Sequence, residues 1–349
     1  MKKLLSVICI ASLCATVITG CSSKNESAET ATSATDNSAT AAESDSAKKD
    51  TEKDAGKEGK GYVIGYASKS STTPFWVQLN AAIQTAASDA QVTVKEIGPA
   101  KENDVAGQIS VIEDFLTQDV DALIVAPCDD VGVAPAVQKF IDAGKPVIAV
   151  DNGVTGVEIT SLVATDNKAS AGAAAAYIAE ALGDDAKVVT IDGVVAQGTG
   201  KDRKNGFVDT LKEKAPNAEV VSSIAADWVD DTALKGVEDL INGNVEFNAI
   251  FAAWDGGALA AYQACKSAGR EDVMIVGHDA FEQSCELMIA KDPIFKGSVA
   301  QNPSNMGSLA VQTAIKALDG ETVEAFNDSG YQVVTGENAA EYKETNYSK

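Results

Sequence analysis

The pattern that decides the fold is clearest in residues 122–153, which read ALIVAPCDDVGVAPAVQKFIDAGKPVIAVDNG. Two short apolar runs, Ala122–Ala126 and Val147–Val150, predict β-strands buried on both faces, because neither run alternates with polar residues. Between them, Val131–Ala143 predicts a helix that ends at Gly144. A strand, a helix and a strand in this order form a βαβ unit, in which the two strands lie parallel in one sheet.

The same alternation continues through the chain on both sides of this unit. Other strands are predicted at Tyr62–Ser68, Val92–Ile97, Ser161–Ala164, Lys187–Ile191, Glu219–Ile224, Ala249–Ala252, Val273–Val276, Lys296–Ala300 and Tyr331–Val334. Other helices are predicted at Pro74–Ala90, Asp104–Gln118, Lys168–Leu182, Lys201–Lys214, Asp230–Asn242, Ala258–Ala268, Phe281–Ala290 and Pro303–Leu318. The pattern restarts near Thr165, and its total of about ten β-α steps is close to the limit for one open sheet. We therefore expect an α/β fold with two doubly wound parallel sheets; a (βα)₈ barrel is the alternative, and the restart counts against it.

The composition excludes several classes of function. The chain has 349 residues, and 28 Lys and Arg against 51 Asp and Glu give a net charge of −23. Such an acidic chain repels the phosphate backbone of nucleic acids, so no nucleic-acid partner is expected. Because His278 is the only histidine, a His-rich metal site is excluded, and we predict neither a metal nor a cofactor.

The first residues have the pattern of an export signal. Two lysines precede the mostly apolar stretch Leu4–Ile18, which is too short for a comfortable membrane span. The stretch ends in Ile18-Thr19-Gly20-Cys21, which resembles the bacterial lipobox, whose cysteine receives a diacylglycerol. We expect residues 1–21 to be a lipoprotein signal peptide with a lipidated Cys21; an ordinary signal peptide is the alternative. Residues 22–60 are polar and lack aromatics, which predicts a disordered tether.

Three cysteines remain in the predicted folded part, namely Cys128, Cys265 and Cys285. Their odd number and the absence of a C-x-x-C motif favour buried free thiols. A disulfide between Cys265 and Cys285 is the alternative in an exported protein.

Rare residue types gather where the predicted strands end, which is where open α/β sheets bind ligands. The residues at these positions are Lys69, Phe75, Trp76, Asp151, Asn152, Arg203, Trp228, Trp254, Asp255, His278, Asp279, Gln301 and Asn302. All three tryptophans of the chain belong to this set. Packing of each indole under a loop and helix capping by Asp151 and Asp279 are the structural alternatives.

These residue types suit a polyhydroxylated ligand. The apolar face of a sugar ring stacks on indole, and its hydroxyl groups need charged partners that accept or donate several hydrogen bonds. Carboxylates accept from hydroxyls, whereas Arg and Lys only donate. The mixture therefore predicts a site for a neutral sugar or polyol.

Residues 61–349 resemble the ribose/galactose/allose-type solute-binding proteins of ABC importers. The matching stretches are Lys69-Ser70-Ser71-Thr72-Thr73-Pro74-Phe75-Trp76, Ala149-Val150-Asp151-Asn152, Asp202-Arg203-Lys204-Asn205-Gly206-Phe207, Ala226-Asp227-Trp228, Val276-Gly277-His278-Asp279 and Ala300-Gln301-Asn302-Pro303. The resemblance implies the type I periplasmic binding protein fold, with two lobes joined by a three-crossover hinge that closes over the ligand. It implies an N-terminal lobe of residues 61–164 and 302–326 and a C-terminal lobe of residues 165–301 and 327–349.

The resemblance also implies residue roles. Phe75 and Trp76 would stack on one side of the sugar and Trp228 on the other. Hydrogen bonds to hydroxyls would come from Lys69, Asp151, Arg203, Asp279 and Gln301. Three positions depart from the pattern: Thr73 and Trp254 replace the usual asparagines, and Asn152 is neither the arginine of ribose binders nor the acid of allose binders. We include Thr73, Asn152, Trp254 and its neighbour Asp255 in the predicted ligand-binding set.

The resemblance implies an extracytoplasmic, monomeric, non-enzymatic protein that is held at the membrane by its lipid and delivers a monosaccharide or polyol to an ABC permease. A lipoprotein that senses a sugar or furanosyl autoinducer for a membrane receptor is the alternative. An enzyme is disfavoured, because no nucleophile accompanies His278 and no Gly-x-Ser-x-Gly or P-loop motif occurs. A transcription regulator would need a basic helix-turn-helix where this chain has its export signal.

Overall fold

The computed structural model describes residues 61–99 and 104–347. The predicted signal peptide, Cys21 and tether lie outside the described residues. Twelve strands are described: β1 Val63–Ala67, β2 Thr93–Ile97, β3 Ala122–Val125, β4 Val147–Val150, β5 Ser161–Ala164, β6 Lys187–Asp192, β7 Glu219–Ala225, β8 Ala249–Ala252, β9 Met274–His278, β10 Phe295–Gln301, β11 Phe326–Asp328 and β12 Tyr331–Thr335. The α-helices in this part are α1 Pro74–Asp89, α2 Val105–Thr117, α3 Ala134–Asp142, α4 Asn167–Leu182, α5 Gly198–Lys214, α6 Asp230–Asn242, α7 Asp255–Ser267, α8 Glu282–Ile289, α9 Pro303–Leu318 and α10 Ala339–Tyr347.

The strands form two six-stranded sheets. The first sheet has the order β11-β5-β4-β3-β1-β2 and is parallel throughout. The second has the order β12-β10-β9-β8-β6-β7, and only β12 runs antiparallel to its neighbour. The predicted α/β fold with two doubly wound sheets is therefore confirmed.

Each sheet has an apolar core on both faces, which explains the uninterrupted apolar strands. In the second sheet, the rings of Phe207 and Phe251 stack with centroids 4.3 Å apart. Helices α4 and α5 pack so closely that a Cβ on Gly206 would lie 2.1 Å from the carbonyl oxygen of Lys168. A glycine is therefore required at this helix contact.

Two elements were not predicted from the sequence. Strand β11 has only three residues and is largely exposed, so it lacks the apolar run that marks the other strands. Helix α10 buries only Ala339 and Tyr342 among the side chains of its nine residues. Helix α3 begins at Ala134 rather than at Val131, because Asp129 Oδ1 accepts the backbone N–H groups of Val131 and Gly132 and holds them in a turn.

The chain passes between the sheets three times, after β5, after β10 and after β11. Hydrogen bonds join these crossings: Thr165 Oγ1 donates to Gln301 Oε1 at 3.1 Å and lies 3.2 Å from Ser329 Oγ. Because Asp328 pairs with Ala164 of β5, the first sheet extends two residues beyond the lobe boundary predicted at residue 326. Among the described residues, no helix has the length and apolar character needed to cross a bilayer.

Candidate ligand-binding site

A cavity of about 500 Å³ lies among the loops that follow strands of both sheets. Its lining consists of Lys69, Thr73, Pro74, Phe75, Trp76, Asp151, Thr199, Arg203, Trp228, Val229, Asp230, Asp231, Trp254, Gly256, Asp279, Phe281 and Gln301. Ten of the twelve predicted ligand-binding residues are in this lining. The two that are not, Asn152 and Asp255, are buried outside it.

Four of the five aromatic side chains in the lining form one pair in each half of the protein. Phe75 and Trp76 lie in the first turn of α1, directly after Pro74, and meet edge to face with ring centroids 4.9 Å apart. The ammonium group of Lys69 is 5.3 Å from the centroid of the Trp76 ring. Both rings also pack against the core of the first sheet, so the two side chains that are predicted to stack on a ligand also belong to that core.

In the second half, Trp228 and Trp254 meet edge to face with centroids 5.6 Å apart. Trp228 has a left-handed backbone (φ 65°), and its ring covers Gly193, where a Cβ would lie 2.1 Å from the indole. The indole N–H of Trp228 donates to Gln197 Oε1 at 2.8 Å. The indole N–H of Trp254 donates to Asp230 Oδ1 at 2.9 Å, so this ring presents mainly apolar surface to a ligand.

The charged groups of the cavity are linked to one another. Arg203 donates from Nε to Asn167 Oδ1 and from Nη1 to the carbonyl of Ala253, both at 2.8 Å, and its Nη1 lies 3.9 Å from Asp279 Oδ1. The amide of Gln301 donates to the same Asp279 oxygen at 2.8 Å. These contacts fix the positions of the guanidinium and the carboxylate relative to each other.

Asp151 lies on the first half of the cavity with a left-handed backbone (φ 66°). Burial raises the pKa of its carboxyl group to about 6, and the nearby charges of Lys69 and Arg203 oppose that shift. Its Oδ2 accepts a hydrogen bond from Asn152 Nδ2 at 2.9 Å. Hydroxyl donors stabilise a buried carboxylate, because their hydrogen bonds replace the solvation that its charge loses on burial.

Asp255 supports the site from beneath and does not line it. Its carboxylate accepts the N–H of Phe281 at 2.7 Å and the hydroxyl of Ser298 at 2.6 Å, and Ser298 Oγ accepts the N–H of Ala280 at 2.9 Å. These bonds hold a loop in which Asp279 and Ala280 have φ of 116° and 54°. Burial, followed by the charge of Asp279, raises the pKa of Asp255 to about 7.

Asn152 faces the other half of the protein instead of the cavity. Its Oδ1 accepts hydrogen bonds from the backbone N–H and the hydroxyl of Thr199, at 3.1 and 2.8 Å. The amide is 98% buried by these contacts and by Asp151. Its placement therefore gives no support to the predicted ligand contact.

His278 is fully buried, with Nε2 3.0 Å from Ser170 Oγ and Nδ1 3.5 Å from Asp279 Oδ1. Burial lowers its pKa to about 4, so the ring is neutral at pH 7. It lies behind Asp279 and outside the cavity lining. Cys265 and Cys285 are buried and form no disulfide with each other, as predicted.

The sequence reasoning missed several lining residues. Thr199, Val229, Asp230, Asp231 and Phe281 each lie within a few residues of a predicted site residue. The two aspartates form the first turn of α6, where acidic residues are common for helix stability alone. Because helix stability alone accounts for acidic residues in a first turn, the position of these two at the cavity was not predicted.

A cavity of aromatic and charged side chains, placed at the carboxyl ends of two parallel sheets that three connections join, defines a two-lobed solute-binding protein. Residues 64–322 match the family model described as "Periplasmic binding protein domain", and the chain belongs to this family. The members are extracytoplasmic binding proteins and not enzymes, so the predicted class and the non-enzymatic role are confirmed.

Curated relatives include the ribose import binding protein RbsB of Bacillus subtilis (strain 168), which is 32% identical over 265 residues, or 76% of this chain and 84% of the relative. The D-allose-binding periplasmic protein of Escherichia coli (strain K12) is 27% identical over 258 residues, covering 71% and 82%. Among solved structures, an ABC transporter solute-binding protein of Agrobacterium vitis with bound D-fucose has a TM-score of 0.75 and 28% identity, with coverage of 81% and 99%.

Proposed function

We propose that this protein captures a monosaccharide or polyol outside the cytoplasm and delivers it to the permease of an ABC transporter. The observation that carries the proposal is the shared cavity, in which Trp76 and Asp151 of one half and Trp228, Arg203 and Asp279 of the other line a single space. Relatives named for ribose and allose, and a solved relative with bound D-fucose, support a sugar as the ligand.

The hydrogen-bonding groups of the cavity suit hydroxyls. Asp151 accepts a hydrogen bond from Asn152 through one carboxylate oxygen, and Asp279 accepts one from Gln301 in the same way. Among the described residues, no hydrogen bond engages the second oxygen of either carboxylate, so each can accept a ligand hydroxyl. The indole faces supply the stacking surface for the ring carbons.

Trp254 narrows the choice of ligand. Its N–H is already bonded to Asp230, so it cannot replace the amide that the family usually has at this position. The ligand therefore has an apolar edge or a missing hydroxyl at this corner, as in a deoxysugar or a small polyol.

The two sheets and their covering helices act as lobes that close over the ligand. We assign the first lobe to residues 61–164 with 302–326 and the second lobe to residues 165–301 with 327–349. The boundary at residue 326 is moved to Ser329 and Gly330, because β11 pairs in the first sheet. The hydrogen bonds among the crossings support a common hinge.

The lipid anchor at Cys21, the tether of residues 22–60 and the monomeric state complete the proposal, and the sequence pattern at residues 1–21 supports the anchor. The test is growth with labelled palmitate, where the wild-type chain is expected to carry label in the membrane fraction. Cys21→Ser should lose the label and leave the membrane. An unlabelled wild-type chain would contradict the anchor alone.

The central experiment is thermal unfolding of the purified protein, from residue 22 onward, against a broad panel of sugars and polyols. A ligand at 100 times its Kd stabilises the folded state by about 2.7 kcal/mol, which corresponds to a shift of several degrees. At least one pentose, hexose or cyclitol is expected to give this shift. A flat response across the panel would contradict the proposed ligand class.

A further inference from the structure

The residues at the start of α5 bond to two loops of the other lobe, one between β3 and α3 and one between β4 and β5. Gln197 Nε2 donates to the carbonyl of Cys128 at 2.9 Å, and the N–H of Gly198 donates to Asp130 Oδ2 at 2.7 Å. The backbone and hydroxyl of Thr199 donate to Asn152 Oδ1 at 3.1 and 2.8 Å. We call this set the latch: Gln197, Gly198 and Thr199 on the C-terminal lobe, and Cys128, Asp130 and Asn152 on the N-terminal lobe.

The latch is separate from the walls that hold a ligand. Of its side chains, only Thr199 is in the cavity lining, and Gln197, Asn152 and Asp130 are not. All four are more than nine-tenths buried where the lobes meet. If the lobes parted, these polar groups would face water, which would replace the bonds that they make across the gap.

Two hydrogen-bonded chains connect the latch to the cavity. Gln197 Oε1 accepts the indole N–H of Trp228 at 2.8 Å, so the amide that holds the opposite lobe also orients the stacking ring. Asn152 Nδ2 donates to Asp151 Oδ2 at 2.9 Å while its Oδ1 holds Thr199. In each chain, a cavity residue of one lobe is bonded to an amide that in turn bonds the other lobe.

We propose that Gln197 and Asn152 are positioning residues, which orient Trp228 and Asp151 for the ligand only when the latch is formed. This inference rests on the proposed function. It gives Asn152 a role in closure in place of the ligand contact predicted from the sequence. It also assigns a function to Gln197, which the sequence reasoning did not single out.

Linkage between closure and binding gives the size of the effect. The apparent Kd equals the intrinsic Kd divided by the closed fraction, so a change that favours opening weakens binding without removing a ligand contact. Loss of one or two hydrogen bonds of ordinary net strength should shift the equilibrium between the open and closed forms toward the open form by about fivefold to thirtyfold. The loss of affinity should appear as faster dissociation of the ligand, because the latch forms after the ligand has entered.

The test uses Gln197→Met, Asn152→Ala and the pair Thr199→Val and Thr199→Ser, in the chain from residue 22 onward. Gln312→Met is the matched control, because Gln312 is exposed on α9 and bonds only Ser308 of its own helix. The probes are D-ribose, D-allose, D-fucose and myo-inositol, with release followed by tryptophan fluorescence. Small-angle scattering measures how open each unliganded variant is.

Gln197→Met, Asn152→Ala and Thr199→Val are expected to release the bound probe at least fivefold faster, with association within twofold of wild type. Their unliganded radius of gyration should exceed that of the wild type, and their melting temperatures should stay near that of the control. Thr199→Ser should release the probe more slowly than Thr199→Val, because it keeps the hydroxyl that bonds Asn152. The fluorescence change on binding should shrink in Gln197→Met, where Trp228 loses its acceptor.

Release at the wild-type rate in all three variants would overturn the proposal, as would equal loss in Thr199→Ser and Thr199→Val. If none of the four probes binds, the broad panel of sugars and polyols decides the proposed function, and scattering decides the latch by itself. In that case a larger radius in the variants than in the wild type supports the latch, and identical radii overturn it. Should Gln197→Met fail to fold, the Thr199 pair gives the same decision.

Discussion

At the cavity, Asp151, Trp228 and Asp279 have positive φ angles of 66°, 65° and 116°. Left-handed backbone costs an L-residue about 1–2 kcal/mol, so such residues persist only where their surroundings hold them. All three side chains line the cavity. Their neighbours therefore hold these three cavity residues in conformations that a flexible loop would not keep.

Trp228 and Asp279 are the residues whose loss should separate binding from folding. We expect Trp228→Ala and Asp279→Asn each to abolish the sugar-induced rise in melting temperature, corresponding to a loss of at least about 100-fold in affinity. The unliganded protein should melt within a few degrees of wild type, because Trp228 is only partly buried. Differential scanning fluorimetry with and without ligand is the measurement, and Tyr331→Ala, an exposed aromatic, is the control. A collapse of unliganded stability would show that these residues are structural.

Trp254 is the residue expected to set specificity. Trp254→Asn restores an amide at the apolar corner, and we expect the ratio of affinities for hydroxyl-rich and deoxy sugars to shift at least tenfold toward the former. The variant also loses core packing, since Trp254 is 94% buried, so the comparison is made between sugars within one variant. Isothermal titration with D-galactose, D-allose and D-fucose measures the ratios. Unchanged ratios in the variant would remove Trp254 from the specificity argument.

At the scale of elements, the loop between β9 and α8 shows how the scaffold presents a cavity-lining carboxylate. Asp279 is the first residue after β9, and Ala280 next to it has a left-handed conformation without being glycine. Ser298 of β10 and Asp255 of α7 hold the N–H groups of this loop. Neighbouring elements thus fix a conformation that the loop would not adopt alone.

Ser298→Ala should loosen that loop. It leaves the buried N–H of Ala280 without its acceptor and Asp255 without a donor, and it should lower the free energy of unfolding by about 1–3 kcal/mol. Sugar affinity should fall as well, because Asp279 is no longer held. Urea denaturation and titration of the same samples test both effects. The control is Ser308→Ala on α9, whose half-buried hydroxyl accepts a hydrogen bond from the exposed Gln312. Full affinity in a destabilised Ser298→Ala would show that the loop does not need this support.

At the scale of the whole molecule, buried titratable groups make stability depend on pH. Burial raises the pKa of Asp255 to about 7 and lowers that of His278 to about 4. A raised carboxyl pKa contributes stability that is full below pH 4 and is lost as the pH rises through 7. A lowered histidine pKa contributes stability that is present above pH 6.5 and is lost as the pH falls through 4.

Asp255→Asn should therefore become more stable relative to wild type as the pH rises from 4 to 7. The difference between 3.8 and about 7 in the pKa of Asp255 corresponds to about 4 kcal/mol of relative stability over this range. Urea denaturation of both proteins at several pH values measures it, and Asp239→Asn on the exposed face of α6 is the control. A constant difference between the two proteins would mean that Asp255 is ionised throughout.

The order of strands and helices and the location of the cavity could be predicted from the sequence, because they follow from local patterns. The eleven predicted strands all occur near their predicted bounds, since each is a short β-rich run between turn signals. Because parallel strands place their carboxyl ends together, the residues that follow them also met at one cavity. Sequence similarity then identified the family on the same stretches.

The direction of individual side chains was decided only by the tertiary structure. Asn152 directly follows Asp151, and Asp255 directly follows Trp254. In each of these pairs only the first residue lines the cavity. Asn152 instead bonds Thr199 of the other lobe, and Asp255 bonds the Asp279 loop. Strand and helix patterns are local properties that a sequence carries residue by residue. Which partner a loop side chain meets depends on backbone turns and on chain segments more than forty residues away, and these come together only in the folded protein.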